Sequence, residues 1–329
     1  MIRVKTWCRA DFAGGTLDIW PLGLLHPGAR TVNVALDLPV EVRLELRLRG
    51  FAVRQDGESI ETDTLAELAA TAGGALMAAV ALAEVLPPIA VEIVSGSPRG
   101  AGLGASSALA VGLLAAAEVA VHGALTRTPA ERAAFARDIE ARLMGLPTGL
   151  QDHYPAQLGG ALEIAHAPGG ERVTELAVDL PELGEHLLVG FTGQSHFSAG
   201  ANWQVVRRRL EADAMVVDRL GAIADVACRL PSALVSSNWA QAGALVGDEW
   251  AARRQLSDEI STPAIENLLA VAKGLGAWGG KACGAGGGGS VLVLAPPATR
   301  AAIADAWRRL GTQVLAAKPT ARRLELEET

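Results

Sequence analysis

Cysteine is scarce in this 329-residue chain, and the three cysteines, Cys8, Cys228 and Cys283, lie far apart in the sequence. An odd number of isolated thiols favours neither a disulfide framework nor a zinc knuckle, so we expect a reducing, cytoplasmic setting. The six histidines are dispersed as well and form no HExxH or paired-ligand pattern. A transition-metal site is therefore not expected.

An excess of positive charge and a long hydrophobic run are also missing. The 29 lysines and arginines are outnumbered by 36 aspartates and glutamates, whereas nucleic-acid binders need a basic face. The longest uncharged apolar run, residues 68–83, has sixteen residues, and a membrane helix needs about twenty. The N-terminus is polar where a signal peptide is apolar. We expect neither nucleic acid nor a membrane as partner, and the sequence does not indicate the oligomeric state.

The sequence does have enough apolar material for two packed domains, since half of its residues are hydrophobic. Strands and helices mix in both halves without a βαβα repeat, which favours an α+β fold. A change of texture near residue 181 predicts a first domain over residues 1–180 and a second over residues 181–329. Helical patterns cover residues 64–86, 106–122, 129–143, 199–228, 231–247 and 263–275.

Residues 98–107, here named the first glycine loop, lie between a predicted strand and a predicted helix. Glycines let a backbone approach an anion closely, and the amides that open a helix point toward it. Ser106 and Ser107 add hydroxyls that bind phosphate oxygens or magnesium. We interpret the loop as a cradle for nucleotide phosphates; the alternative is a plain strand-to-helix turn.

Two other phosphate motifs match this loop less well. A Walker loop requires a lysine after its second glycine, and the loop has none. The dinucleotide fingerprint is matched by Gly100, Gly102 and Ala105, but it also needs an acidic residue at the tip of a strand about twenty residues further on. That distance falls at the end of a predicted helix with no strand after it.

Residues 98–108, Pro-x-Gly-x-Gly-Leu-Gly-Ala-Ser-Ser-Ala, resemble the phosphate-binding motif of the GHMP kinases, which include galactokinase, homoserine kinase, mevalonate kinase and phosphomevalonate kinase. The resemblance implies an α+β, two-domain GHMP kinase fold, with a ribosomal protein S5 domain 2-like N-terminal domain and a ferredoxin-like C-terminal domain. It also implies ATP and Mg²⁺ as cofactors. The implied ATP-binding residues are Pro98, Gly100, Ala101, Gly102, Leu103, Gly104, Ala105, Ser106 and Ser107.

Residues 9–18, Arg-Ala-Asp-Phe-Ala-Gly-Gly-Thr-Leu-Asp, are similar to the first motif of the family, which in the heptose-phosphate kinase branch is Arg-Ile-Ser-Phe-Ala-Gly-Gly-Gly-Thr-Asp. The resemblance implies that Arg9 acts at the transferring phosphoryl group and that Gly15 and Asp18 bind the substrate. Thr16 and Leu17 depart from the pattern where the acceptor binds, which bears on the substrate rather than on the fold. Taken alone, Asp18 would be a turn-stabilising carboxylate.

Residues 284–289, here named the second glycine loop, lead into a strand pattern over residues 290–294. They end a segment, Gly-Lys-Ala-Cys-Gly-Ala-Gly-Gly-Gly-Gly, that resembles the third motif of the family. The resemblance implies that this loop supports the first glycine loop and contacts the substrate through Gly286 and Gly287. A flexible linker is the alternative, although linkers are usually longer and serine-rich.

Residues 149–154, Gly-Leu-Gln-Asp-His-Tyr, resemble a segment of the heptose-phosphate kinase branch that contains Gln-Asp-Gln-Tyr. The resemblance implies that Asp152 is the catalytic aspartate, with Arg9 close to it. A carboxylate suits that role because the attacking hydroxyl must lose its proton. In isolation, Asp152 would be a helix cap.

Glu140 matches the acidic magnesium ligand of the family, and the resemblance implies that it holds the metal together with Ser107. Carboxylates suit magnesium because it is a hard cation that prefers oxygen. The alternative for Glu140 is a solvated side chain beside Arg137 and Arg142.

The resemblance covers essentially the whole chain and implies an ATP-dependent kinase for a hydroxyl of a sugar or sugar phosphate, with a heptose 7-phosphate phosphorylated at its anomeric position as one case. A phosphorylated acceptor needs basic residues, for which His26, Arg30 and Lys281 are candidates. Two alternatives stay open. One is a kinase for another free sugar or a mevalonate-like acid, and the other is a sensor on the same fold that binds nucleotide and sugar without catalysis. The presence of both Asp152 and Arg9 favours an enzyme.

Overall fold

The chain folds into helices and strands that alternate irregularly, as a computed structural model of residues 1–194 and 199–328 describes. Up to residue 186 the elements are β1 (Ile2–Ala13), α1 (Leu22–Leu25), β2 (Arg30–Leu46), β3 (Phe51–Gln55), β4 (Glu58–Thr62), α2 (Leu65–Ala69), α3 (Ala75–Ala83), β5 (Ile89–Ser95), α4 (Ala105–His122), α5 (Pro129–Met144), α6 (Pro155–Leu158), β6 (Ala161–Ala167), β7 (Gly170–Leu176) and α7 (Leu180–His186). The later elements are β8 (Leu187–Phe191), α8 (Ala199–Leu210), α9 (Ala214–Val235), α10 (Trp239–Arg253), α11 (Pro263–Gly274), β9 (Gly279–Ala282), β10 (Ser290–Leu294), α12 (Pro297–Arg309), β11 (Gln313–Val314) and β12 (Glu325–Glu328).

The strands form two sheets. The first has the order β12-β1-β2-β5-β3-β4, with β6 paired to β2 and β7 paired to β6. Its neighbouring strands are antiparallel except for β3 and β5, which run parallel. The second sheet has the order β11-β8-β10-β9 and is antiparallel throughout. The predicted α+β, two-domain fold is confirmed.

The end of the chain returns to the first sheet, because β12 pairs with β1. The division of the domains at residue 180 stays a prediction. Within the predicted second domain, β8 to β11 build the second sheet, and β12 crosses back to the first.

Helix α4 is buried against the two longest strands, β1 and β2. A Cβ at Gly112 would lie 3.2 Å from the side chain of Val42, and the Thr6 hydroxyl donates a hydrogen bond of 2.8 Å to the Ala108 carbonyl. Among the described helices, α4 alone is long and apolar enough to cross a membrane, but 67% of it is buried within the protein. A core helix explains that composition.

A hydrophobic cluster shared by the two sheets joins the domains. It contains Phe12 and Val34 from the first sheet, Leu292 from the second, and Leu230 and Leu245 from α9 and α10. Burial of apolar side chains from both sheets in one cluster holds neighbouring domains in one arrangement. The loops at this junction are therefore presented to each other in a defined geometry.

The predicted helix over residues 64–86 is wrong, because the chain forms two shorter helices, α2 and α3, in that region. The break contains Gly73 and Gly74, which lower helix stability. Thr71 closes the intervening turn, since its hydroxyl accepts a hydrogen bond of 3.1 Å from the Gly74 amide.

The predicted helices over residues 199–228 and 231–247 are also divided differently in the structure. Ala212 adopts a positive φ of 58°, and Asp213 then caps α9 by accepting hydrogen bonds from the amides of Met215 and Val216. Pro231 does not end this helix but lies inside it, and Asn238 caps α10 instead. Capping side chains therefore set these boundaries more strongly than the proline does.

The two glycine loops pack directly against each other. Gly102 has a φ of +71°, and a Cβ there would lie 2.7 Å from the Cys283 carbonyl oxygen. In the second glycine loop, a Cβ at Gly284 would lie 3.0 Å from the Gly102 carbonyl oxygen, and a Cβ at Gly289 would lie 3.0 Å from that of Ala101. The second glycine loop is thus a packing element, and the linker alternative is excluded.

We expect Gly102→Ala to lower the free energy of unfolding by about 2–4 kcal/mol, because it combines a left-handed backbone with a clash against Cys283. Gly123→Ala is the matched control, since its φ is +73° with no atom within 4 Å of an added Cβ, and we expect a loss of about 1 kcal/mol. Urea unfolding of both variants measures the difference. Equal losses would contradict tight packing of the two glycine loops.

Candidate active site

A cavity of about 270 Å³ opens where the first glycine loop, the segment around Asp152 and the second glycine loop meet. All nine residues that the sequence assigned to ATP lie along its wall, together with Arg9, Asp18 and Asp152. Gly15, Gly286, Gly287 and Glu140 do not line it. The cavity also has lining residues that sequence reasoning did not assign, namely Thr16, Ile19, Ser97, Thr148, Gly149, Gln151, Asn202, Gly284 and Ala285.

The first glycine loop presents an open helix N-terminus to this cavity. Gly100, Gly102 and Gly104 have φ values of 70°, 71° and 74°, a backbone region that favours glycine. Gly104 is the N-cap residue of α4, and no side chain caps that end. The amides of the first turn of α4 are consequently available to an anion, which the helix dipole also favours.

Arg9 and Asp152 form an ion pair beside this helix end. The Arg9 Nε and Nη2 atoms lie 2.8 Å and 2.7 Å from Oδ1 of Asp152, and Nη1 donates to the Gly102 carbonyl at 2.7 Å. The Arg9 side chain is 3% exposed, whereas the Asp152 side chain is 23% exposed. Arg9 is therefore a fixed cation, and Asp152 remains accessible from the cavity.

Close packing holds this pair next to the loop. A Cβ at Gly104 would lie 3.3 Å from the Arg9 side chain and 3.4 Å from that of Asp152. The Arg9 amide also donates to the Leu103 carbonyl at 2.8 Å. The Asp152 carboxylate and the open end of α4 are thus neighbours.

Asp18 places a second carboxylate in the cavity. Its Oδ2 accepts a hydrogen bond of 3.1 Å from the Gln151 amide, while its Oδ1 is buried without a partner among the described residues. Only glycine fits at position 149, because a Cβ there would lie 1.7 Å from Oδ2. Burial raises the pKa of Asp18 to about 6, although the Gln151 amide acts in the opposite direction. A ligand hydroxyl would supply the missing donor.

A buried charge cluster of Asp11, Glu249, Arg253 and Lys281 lies behind the cavity. Lys281 Nζ is 2.6 Å from Asp11 and 3.2 Å from Glu249, and Arg253 Nη2 is 2.5 Å from Glu249. Burial raises the pKa of Asp11, but the charges of Lys281, Arg9 and Arg253 outweigh it and hold that pKa below its usual value. The cluster therefore contains two anions and two cations.

The cluster connects three segments. The Gly284 amide donates to Asp11 Oδ1 at 2.8 Å, which ties the second glycine loop to β1. Arg253, at the end of α10, donates to the Gly15 carbonyl at 2.6 Å and to the Thr16 hydroxyl at 2.9 Å. Gly15 thus supports the site through its backbone.

The three basic residues considered for a phosphorylated acceptor are engaged elsewhere. Lys281 is fully buried in the charge cluster. Arg30 pairs with Glu163, and His26 accepts a hydrogen bond of 2.9 Å from Arg209. None of the three lines the cavity.

Glu140 lies behind the first turn of α4. Its Oε1 accepts a hydrogen bond of 2.8 Å from the Ser106 hydroxyl, and its Oε2 lies 2.7 Å from Nε2 of the buried His153. Burial raises the pKa of Glu140, but these contacts outweigh it and hold the pKa below its usual value. Glu140 is therefore an ionised, oriented carboxylate rather than a solvated side chain.

A second, larger cleft of about 580 Å³ adjoins the first glycine loop. The two cavities share Ser97, Pro98, Gly100, Ala105 and Ser106. Most of the other residues that line the second cleft are apolar, namely Val40, Val53, Ile60, Ala72, Gly73, Leu76, Ile93 and Leu109. The polar ones are Gln55, Glu58, Ser95 and Arg99. A flat apolar group joined to phosphates fits this pair of cavities.

Family models match both halves of the chain. A model of the GHMP kinases N terminal domain matches residues 75–160, and a model of the GHMP kinases C terminal region matches residues 232–313. A galactokinase of Mycobacterium tuberculosis (strain ATCC 25177 / H37Ra) is 31% identical over 271 residues, which cover 73% of this chain and 74% of the galactokinase. The chain belongs to the GHMP kinase family.

Heptose kinases are among the similar proteins. A D-glycero-alpha-D-manno-heptose 7-phosphate kinase of Campylobacter jejuni is 26% identical over 220 residues, which cover 65% of this chain and 63% of that kinase. The chain spans 20% of a bifunctional fucokinase/GDP-fucose pyrophosphorylase of Arabidopsis thaliana. A solved D-glycero-D-manno-heptose 1-phosphate kinase from Bacteriodes thetaiotaomicron has a TM-score of 0.81 at 19% identity, covering 100% of this chain and 99% of that one. That likeness confirms the predicted GHMP kinase fold.

We expect Asp18→Asn to stabilise the protein at neutral pH. Asp18 keeps its proton up to about pH 6 when folded, against an ordinary pKa of 3.8, so its contribution to stability falls as pH rises between these values. At pH 7.5 the substitution should raise the free energy of unfolding by about 1–3 kcal/mol, whereas below pH 4 it should have little effect. Urea unfolding at both pH values, with the exposed Asp258→Asn as control, measures this. If Asp18→Asn lowers the free energy of unfolding at pH 7.5, the ionised Asp18 carboxylate does not destabilise the folded protein, and the prediction is contradicted.

Proposed function

We propose that this protein is an ATP-dependent kinase that transfers the γ-phosphoryl group to a hydroxyl of a small sugar. The observation that carries the proposal is the position of the Arg9–Asp152 pair. It lies against the open N-terminus of α4 and lines the same cavity as Asp18; phosphates are assigned to the helix end and a hydroxyl donor to Asp18. A phosphate site, a base and a hydroxyl site are thus adjacent in one cavity.

ATP is assigned to the two adjoining cavities. The amides at the start of α4 and the hydroxyl of Ser107 would bind the phosphates. The base and ribose would occupy the apolar cleft, in contact with Val53, Leu76 and Leu109. Membership of the GHMP kinase family supports this assignment.

Mg²⁺ fits the residues present. Glu140 and Ser107 offer a carboxylate and a hydroxyl, the hard oxygen ligands that this cation prefers, and it binds proteins through few side chains together with substrate phosphates. Glu140 contacts the side chains of Ser106, Ser107 and His153, and a carboxylate has about four lone-pair sites, so it can still accept a further contact. When bound, the ion would neutralise charge on the phosphates. Among the described residues, no cluster of three or more His, Cys, Asp or Glu side chains could hold a metal, so the phosphates are needed as ligands.

The chemistry follows from the positions of two side chains. The oxygen of the sugar hydroxyl attacks the γ-phosphorus, and Asp152 accepts the hydroxyl proton. The bond from phosphorus to the oxygen of ADP breaks. Arg9 orients Asp152, and its fixed positive charge also stabilises the charge on the transferring group. Hydrogen bonding to Asp18 holds the acceptor in line with the phosphate.

The acceptor site favours an uncharged sugar. Asp18 Oδ1 and Gln151 Oε1 are buried acceptors that lack donors among the described residues, and sugar hydroxyls supply donors. Arg9 is the only lysine or arginine among the described residues that line the cavity, and it is already paired. A sugar phosphate is the second candidate, because a heptose 7-phosphate kinase is among the relatives.

A sensor without catalysis is the alternative class of function. Such a protein would bind nucleotide and sugar but would have no need for an accessible carboxylate beside a buried arginine. The accessibility of Asp152, together with the fixed position of Arg9, supports an enzyme.

We expect Asp152→Asn to reduce ADP release by at least about 100-fold, because the amide cannot accept the hydroxyl proton. Affinity for a non-hydrolysable ATP analogue, measured by calorimetry, should change less than about threefold, since the amides of α4 remain. The exposed Asp138→Asn, on α5, is the control. Full activity of Asp152→Asn would show that this residue has no role in the mechanism. If the wild-type protein does not bind the ATP analogue, the assignment of the first glycine loop to phosphate binding is overturned.

A further inference from the structure

The loop of residues 14–18, here named the Thr16 loop, contains a strained residue. Thr16 has a φ of 74°, in the left-handed region that β-branched side chains rarely adopt. Gly14 is also left-handed, and a Cβ there would lie 1.9 Å from the Arg30 carbonyl oxygen. Glycine explains the first of these conformations, but Thr16 needs an external contact to hold it.

Arg253 supplies that contact from the other side of the domain junction. Its side chain is 1% exposed, and its Nη1 donates to the Thr16 hydroxyl while its Nη2 donates to the Gly15 carbonyl. Its Nε and Nη2 also bind Glu249 Oε1, at 2.9 Å and 2.5 Å. The planar guanidinium therefore binds the Thr16 loop and Glu249 at the same time. The flexible ammonium of a lysine could not reproduce these oriented hydrogen bonds.

The conformation of Thr16 determines where Asp18 lies. The Leu17 amide donates to the Gly14 carbonyl and the Ile19 amide donates to the Thr16 carbonyl, each at 3.1 Å. The second of these turns spans residues 16–19 and encloses Asp18, whose carboxylate is then held by the Gln151 amide. A change at Thr16 would rotate the carbonyl that anchors Ile19 and would move Asp18 with it.

We propose that Arg253 is a positioning residue for the acceptor, acting through Thr16 to aim the Asp18 carboxylate into the cavity. This inference rests on the proposed function in one respect, the role of Asp18 in binding the sugar. Arg253 itself does not line the cavity, so its effect on the acceptor is assigned to the Thr16 loop and not to contact with the sugar. The second domain thereby controls acceptor binding in the first.

Hydrogen–deuterium exchange tests the structural part without any substrate. Thr16→Val keeps the shape of the side chain and removes only the hydroxyl. Arg253→Lys keeps the charge but replaces the planar guanidinium and its several N–H donors by an ammonium. In both variants we expect the amides of Leu17 and Ile19 to exchange about tenfold faster, the change that loss of one hydrogen bond produces. Thr16→Ser is the matched control and should exchange like the wild-type protein.

The outcomes of the exchange experiment are distinct. Unchanged exchange at Leu17 and Ile19 in both variants would overturn the proposal. Equal acceleration in α3 (Ala75–Ala83), which packs in a different hydrophobic cluster from Leu17 and Ile19, would also overturn it, because the contact would then be merely structural. If Arg253→Lys does not fold, Thr16→Val and Thr16→Ser decide the question alone.

Kinetics tests the functional part, with D-galactose, D-mannose and L-fucose as acceptor probes. For a probe that the wild-type protein phosphorylates, Thr16→Val and Arg253→Lys should raise the KM of the sugar about tenfold and leave the KM of ATP unchanged, because one oriented hydrogen bond to the acceptor is lost. An equal rise in both KM values would overturn the proposal. Absence of turnover in the wild-type protein with every sugar would count against the proposed function, and the exchange result would still decide whether Arg253 orders the loop.

Discussion

The buried charge cluster of Asp11, Glu249, Arg253 and Lys281 is the interaction on which the site depends. Burying four charges carries a large desolvation cost, which their mutual pairing and hydrogen bonds must offset. Removing one member leaves an uncompensated charge in the core, so the arrangement tolerates little variation. The cluster thus specifies how β1, α10 and the second glycine loop meet.

The position of the other site residues follows from this cluster. Asp11 and Arg9 are two residues apart on β1, so their side chains emerge on the same face of the strand. The cluster fixes Asp11, and Arg9 extends beside it to the first glycine loop and Asp152. Contacts across the predicted domain division, from Arg253 to Gly15 and from Gly284 to Asp11, then close the cavity. The chemistry proposed for Asp152 relies on a scaffold built from distant parts of the sequence.

Sequence reasoning was most reliable where a structural feature is formed by consecutive residues. The first glycine loop has a local pattern, because glycine at left-handed positions and an uncapped helix start are properties of a short segment. The α+β fold also followed from local patterning. By contrast, Lys281 was considered for binding a phosphate group, and its burial against Asp11 depends on residues 270 positions apart. Arg253 and Asn202 belong to no motif and are brought to the site only by the packing of α10 and α8. The helix boundaries at residues 211–213 were missed because capping by Asp213 outweighed the apolar periodicity. The strained backbone of Thr16 was missed because the residue type does not reveal the φ angle.

Phosphorus NMR of the wild-type protein with Mg²⁺, ATP and a mixture of free sugars, sugar phosphates and mevalonate tests the central claim most directly. For a sugar kinase with an uncharged acceptor, we expect the γ-phosphate signal of ATP to be replaced by ADP signals and by a phosphomonoester resonance coupled to protons of a sugar that entered the reaction uncharged. An intact ATP spectrum, or ATP converted only to ADP and inorganic phosphate, would contradict a sugar kinase. A new phosphomonoester formed solely from a sugar phosphate would retain the kinase and contradict the uncharged acceptor.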